Sequence, residues 1–133
     1  MSSKAMIQIK KLIHDYVTRD DEGNINGKVR ALDNVSLDVK PGEFIAVLGH
    51  NGSGKSTLLS MLAGLDLPTE GEVMYGEKSL KNMDLDRYRR EDVSMIFQAF
   101  QLFPLLTVIE NVCYPMELRG VSTKQAKVKA EEY

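Results

Sequence analysis

The chain has 133 residues, 43% hydrophobic and 27% charged, a composition that excludes disorder and low complexity. Seventeen Lys and Arg against nineteen Asp and Glu leave a net charge of −2, which argues against a strongly basic nucleic-acid binder. A single cysteine, Cys113, excludes an internal disulfide and suits a reducing compartment. No apolar run approaches the ~20 residues that span a bilayer. Met1-Ser2-Ser3-Lys4 is not followed by a secretory core. A soluble, cytoplasmic, single-domain protein is expected.

Met6 to Thr18 alternates loosely between apolar and polar residues and predicts a strand, bent in places. Arg19 to Gly27 carries Asp20, Asp21, Glu22, Gly23, Asn24 and Asn26 and reads as a solvated loop. Val29 to Val39 alternates again, a half-buried strand after a hairpin-like connection. Lys40-Pro41-Gly42-Glu43 is a turn. Phe44 to Leu48 is continuously apolar, which predicts a strand covered on both faces, as in a parallel sheet. Thr57 to Leu65 is apolar on nearly every side and predicts a buried helix ended near Gly64.

Further on, Glu72 to Tyr75 predicts a short strand, Asp84 to Arg90 a polar helix and Val93 to Phe97 another strand. Gln98 to Leu106 is a loop rich in aromatics and leucine. Thr107-Val108-Ile109-Glu110 is a capping box whose helix is expected to reach about Leu118 and stop at Gly120. Ser122-Thr123-Lys124-Gln125 is a second such box. There is no internal repeat.

The chemistry sits between the apolar strand and the buried helix. Gly49-His50-Asn51-Gly52-Ser53-Gly54-Lys55-Ser56 matches G-x-x-x-x-G-K-[ST]. Triphosphate oxygens need several converging donors, and backbone N–H groups supply them only from a tightly wrapped loop. Glycines permit the wrapping and a close approach. The loop opens into a helix N-terminus, where unpaired amides and the helix dipole favour an anion. Lys55 adds a full charge for the β- and γ-phosphates. The Ser56 hydroxyl suits Mg²⁺, with Thr57 beside it. A chance match in this length is on the order of 1%, so a nucleoside triphosphate is the expected ligand.

Other features read plainly. Arg87, Arg89 and Arg90 adjoin Glu91 and Asp92 and form a solvated helix face, not a nucleic-acid patch. His14 and His50 stand isolated, and His50, at a variable phosphate-loop position, does not suit a metal. Cys113 is expected to be a small buried hydrophobe and the methionines core filler.

The segment Gly49 to Thr57 with Leu58-Leu59 resembles the Walker A region of ABC transporter ATPase subunits. So do the run-up Ala31 to Leu37, Pro41-Gly42-Glu43, and the later Pro68 to Val73. Ile96 to Pro104 resembles the family's Q-loop, and Leu106 to Val112 the start of its helical subdomain. The likeness covers almost the whole chain. It leans towards the lipoprotein-releasing and macrolide-export branch, while Asp15 to Asn26 is similar to importer-type energy-coupling ATPases, so the branch stays open.

The resemblance implies an α/β P-loop NTPase fold with an antiparallel β subdomain and the start of a helical subdomain, incomplete. It divides the chain into a nucleotide-binding core with β subdomain over residues 1–97, a Q-loop over 98–106 and helical residues 107–133. It implies ATP and Mg²⁺ as ligands. Gly49, His50, Asn51, Gly52, Ser53, Gly54, Lys55, Ser56 and Thr57 are then the nucleotide cradle. Tyr16 takes the place of the aromatic that stacks on adenine, worth ~1–3 kcal/mol. Gln98 takes the place of the glutamine that touches both the Mg²⁺ sphere and the attacking water. A transmembrane transporter subunit and a second ATPase subunit are the implied partners, with the chain peripheral on the inner face of the cell membrane.

The family's L-S-G-G-Q signature, its strand ending in Asp-Glu and its later histidine are not in this sequence. Gly120 is the only glycine after Gly76, and no histidine follows His50. By analogy the chain binds ATP without turning it over, since phosphoryl transfer depends on positioning and charge stabilisation. Two alternatives remain from the residues: a stand-alone nucleotide-binding module, and another P-loop enzyme such as a small-molecule kinase.

Overall fold

In the computed structural model, residues 6–133 are described; the Met1–Lys4 stretch lies outside them. Two long strands, β1 (Ile7–Arg19) and β2 (Ile25–Val39), form an antiparallel hairpin. Asp20 closes its turn: Oδ1 accepts from the Glu22 and Asn24 amides at 3.1 and 2.8 Å, and Gly23 takes a positive φ of 84°. The alternating pattern of the sequence is therefore realised with the loop shortened to residues 20–24. Strand β3 (Glu70–Tyr75) pairs with the other edge of β1, and the short β4 (Lys78–Ser79) pairs with β3. The sheet order is β2-β1-β3-β4, antiparallel throughout.

The sheet is bent where the pairing register slips. Lys11 and Asn34 take positive φ values of 46° and 53°, and the register of β1 against both neighbours shifts just past Ile9 and Lys10. Such bulges bend a strand and increase its twist. Gly71 makes the bend possible, because a Cβ there would lie 2.3 Å from the Lys11 carbonyl oxygen and 2.5 Å from that of Lys10.

Helix α1 (Lys55–Leu62) follows the Gly-rich loop. Thr57, Leu58 and Met61 are its buried residues, whereas Leu59 is exposed. The helix is thus buried along one face rather than all round. Ile9, Leu12, Leu32, Leu58, Met61 and Val73 are buried in this unit. A 3₁₀ turn over Leu80–Asn82 leads to α2 (Leu85–Glu91). Tyr88 on α2 is fully buried; its hydroxyl donates to the Leu62 carbonyl at 2.9 Å, and its ring meets Tyr75 edge-on at 5.4 Å. Met61 is the one fully buried methionine among the described residues, Met74, Met83, Met95 and Met116 are half-buried and Met6 is exposed.

Residues 90–133 form a separate compact unit. Helix α3 (Val108–Leu118) starts on the expected capping box. Thr107 Oγ1 accepts from the Glu110 amide, and the Glu110 carboxylate accepts from the Thr107 amide at 2.8 Å. Two hydrogen bonds to Thr107 hold the Glu110 carboxyl below its ordinary range. Gly120, at φ 87°, ends the segment. Helix α4 (Thr123–Ala130) starts on Ser122, whose Oγ accepts from the Gln125 amide. Cys113 and Ala126 are buried within this unit.

Two expected strands are not formed. Phe44–Leu48 and Val93–Phe97 belong to no ladder among the described residues. Phe44, Leu48 and Ile96 are 97%, 89% and 98% exposed. An apolar run states what a segment would bury, but a strand also needs a neighbouring backbone to pair with. Neither segment is paired into a described sheet, so the parallel layer is not built.

Candidate functional site

The Gly-rich loop, residues 49–54, leads directly into α1. Gly52 and Gly54 hold positive φ values of 82° and 91°. Gly54 is also packed against β2: a Cβ there would lie 2.4 Å from the Ala31 carbonyl oxygen. A side chain at Gly49 would strike Ser53 Oγ at 2.5 Å. Of the motif's three glycines, Gly52 and Gly54 are favoured by backbone conformation, and Gly54 also by close approach to the Ala31 backbone.

The Ser53 amide donates to the His50 carbonyl at 3.2 Å, which curls the loop. The first ladder bond of α1 runs from the Leu58 amide to the Gly54 carbonyl at 2.9 Å. The amides of Lys55, Ser56 and Thr57 precede it and lie outside the helical ladder. Gly54 caps the helix without a side-chain acceptor, and no acidic residue stands in the first turn. This leaves the positive end of the helix uncompensated.

Lys55 folds back over the loop. Its Nζ donates to the carbonyls of Gly49 and His50 at 2.6 and 2.7 Å, and lies 3.4 Å from Ser53 Oγ. Its ammonium charge thus stands inside the curl of the loop. Ser56 is exposed at the helix start. His50 turns its Nδ1 to the Asn51 carbonyl at 2.9 Å. Among the described residues no group of three or more His, Cys, Asp or Glu gathers to hold a metal. A hydroxyl supplemented by phosphate oxygens is a donor set that suits Mg²⁺, which binds through few protein ligands.

Tyr16 is brought to the same helix. Its hydroxyl lies 3.2 Å from Thr57 Oγ1, and the residue is 45% exposed. The buried Thr57 hydroxyl is thereby engaged by Tyr16, which leaves Thr57 its backbone amide for a ligand. His14 meets Tyr16 edge-on, with ring centroids 4.7 Å apart, so it is not isolated. The next residue, Asp15, is buried and held by Arg30 at 2.9 Å and Lys28 at 2.9 Å. Hydrogen bonds from Arg30 and then Lys28 lower its pKa to about 2. Its backbone amide donates to Thr69 Oγ1 at 3.0 Å. Sequence reasoning missed Asp15 and Thr69. Only the register of the hairpin sets Asp15 opposite Arg30, and a bulge falls just before that pair.

Gln98 lies in the second unit, exposed in a bend at the start of the loop. That loop is tied down locally. Asn111 Nδ2 donates to the carbonyls of Phe103, Leu106 and Thr107 at 3.2, 3.1 and 3.0 Å, and its Oδ1 accepts from the Phe103 amide at 2.8 Å.

Comparison with known proteins decides the family. A family model described as ABC transporter matches residues 32–133. The chain belongs to the ABC transporter family. An uncharacterized ABC transporter ATP-binding protein of Mycobacterium tuberculosis is 39% identical over 135 residues, covering 99% of this chain and 52% of that protein. The Fe(3+) ions import ATP-binding protein FbpC of Brucella abortus is 43% identical over 106 residues, covering 80% of this chain and 29% of its own length. Among solved structures, the dimeric post-hydrolysis state of the ATP-binding cassette MJ0796 bound to ADP and Pi has a TM-score of 0.83 at 35% identity. That match covers 96% of this chain and 55% of the solved one. The chain therefore spans about half or less of the ABC proteins it matches. ABC family membership implies nucleotide binding. No helix among the described residues is long and apolar enough to cross a membrane.

Proposed function

We propose that the chain binds ATP with Mg²⁺ as the nucleotide-cradling part of an ABC transporter ATPase, whose complete form couples ATP hydrolysis to transport across a membrane. The observation that carries this reading is the Lys55 ammonium inside the curl of the Gly49–Gly54 loop, at the uncompensated N-terminus of α1.

Binding proceeds by exchange of partners. Lys55 gives up its carbonyl contacts and takes β- and γ-phosphate oxygens, a charge-assisted bond in place of a neutral acceptor. The loop amides other than that of Ser53, and those of Lys55, Ser56 and Thr57, converge on the phosphate chain. Ser56 contributes its exposed hydroxyl to Mg²⁺, which when bound neutralises phosphate charge. Tyr16 offers an exposed ring face to adenine, and its hydroxyl bond to Thr57 keeps that ring registered on the helix that holds the phosphates.

Gln98 serves the metal sphere and the attacking water in the complete enzyme. Residues 1–97 act as core and β subdomain, 98–106 as Q-loop and 107–133 as helical subdomain. The exposed Phe100, Leu102, Phe103 and Leu105 suit a docking loop for a transmembrane subunit. A second ATPase subunit supplies the groups that face the γ-phosphate, and the assembly sits on the inner face of the membrane. The chain alone binds ATP without turnover. Sustained phosphate release by the purified chain, measured colorimetrically, tests that statement and contradicts it if seen.

A further inference from the structure

We infer that His14 is a positioning residue for the nucleotide base, acting through the ring of Tyr16. The inference rests on the reading of Tyr16 as the adenine platform.

The geometry runs along one side of α1. His14 and Tyr16 are two residues apart on β1, and their rings meet at 86° with centroids 4.7 Å apart. Beyond Tyr16, the hydroxyl reaches Thr57 in the first turn of the helix at 3.2 Å. Beyond His14, Nε2 lies 3.6 Å from Asp66 Oδ2, in the segment just after the helix. The pair therefore spans α1 from its first turn to the residues that follow it. His14 is buried whereas Tyr16 is 45% exposed, so the buried ring backs the exposed one.

Hydrogen bonding does not explain why an imidazole occupies this place. His14 Nδ1 is buried without a partner. The ring packs edge-on against Tyr16 and approaches Asp66. Edge-to-face packing fixes ring orientation, because the positive edge of one ring sits on the negative face of the other. A half-exposed tyrosine anchored only at its hydroxyl could still swing about that point. The His14 ring restricts that swing, and Tyr16, at 45% exposed, keeps surface open to a base.

The test separates base from phosphate. Binding of ATP and of inorganic tripolyphosphate to the 133-residue chain is measured by calorimetry for His14→Ala, His14→Phe and Tyr16→Ala, with circular dichroism to verify folding. The expected result is that His14→Ala weakens ATP several-fold, up to about tenfold. Tripolyphosphate affinity stays unchanged, and His14→Phe, which keeps an aromatic ring, restores ATP binding. Equal loss of ATP and tripolyphosphate in His14→Ala overturns the inference, because it marks a general structural role. Unchanged ATP binding in His14→Ala, with Tyr16→Ala impaired, also overturns it while leaving the platform reading intact. If Tyr16→Ala itself binds ATP normally, the platform reading fails and the inference fails with it.

Discussion

The Tyr16 hydroxyl lies 3.2 Å from Thr57 Oγ1, so the first strand and the first turn of α1 share a hydrogen bond. The bond ties the expected base platform to the helix that carries the phosphate loop. Its ring and its hydroxyl are separable by mutation. Tyr16→Phe keeps the ring and deprives Thr57 of its partner; it is expected to cost ~0.5–1.5 kcal/mol of stability and to weaken ATP binding less than loss of the ring does. Tyr16→Ala removes the ring as well and is expected to weaken ATP binding by ~1–3 kcal/mol. Urea unfolding and calorimetry read the two effects. An equal loss of ATP affinity in both variants would show that the hydroxyl, not the ring, matters.

Gly71 is the point where β3 crosses the bulge of β1. Its φ is 75°, and a Cβ would stand 2.3 Å from the Lys11 carbonyl oxygen. Gly71→Ala must pay for strained backbone and for overlap, together about 2–4 kcal/mol. Gly76 has a similar φ of 59° but nothing within 4 Å of its Cβ position. Gly76→Ala is therefore expected to cost only the conformational part, ~1 kcal/mol. Equal denaturant midpoints for the two variants would contradict the close-approach argument.

Asp15 links stability to acid. Its folded pKa is lowered from 3.8 to about 2 by Arg30 and Lys28. A carboxyl whose folded pKa is depressed binds protons more tightly when unfolded. Its contribution is full above the unfolded value and disappears as pH falls through the folded one. The melting temperature should drop between about pH 4 and pH 2, and Asp15→Asn should remove much of that slope. Glu110, also lowered, adds in the same direction. An unchanged slope in Asp15→Asn would show that other carboxyls set the acid limit.

Asn111 anchors the loop ahead of α3 with four hydrogen bonds to Phe103, Leu106 and Thr107. Asn111→Ala should raise amide hydrogen exchange at Phe103 about tenfold, the equivalent of about 1.4 kcal/mol. Exchange at wild-type rate would mean that the capping box alone holds the loop.

What the sequence made legible was local. The hairpin follows from alternation in β1 and β2, α3 from the Thr107–Glu110 pair, and the loop from its Gly and Lys spacing. Each of these is decided by residues close in the chain. The Tyr16–Thr57 bond, the Asp15 ion pairs and the crossing at Gly71 are not. They depend on register across strands, which the bulges at Lys11 and Asn34 alter. Phe44–Leu48 and Val93–Phe97 show the converse. Their apolar character is plain, yet no strand forms, because pairing is a property of neighbours and not of the segment.

The phosphate-loop reading stands or falls on Lys55. Calorimetric titration of the chain with ATP and Mg²⁺ should show binding that Lys55→Ala weakens by about 1.5–3 kcal/mol, the scale of a hydrogen bond to a charged group. Unchanged affinity in the variant would contradict the assignment of residues 49–57 as the nucleotide cradle.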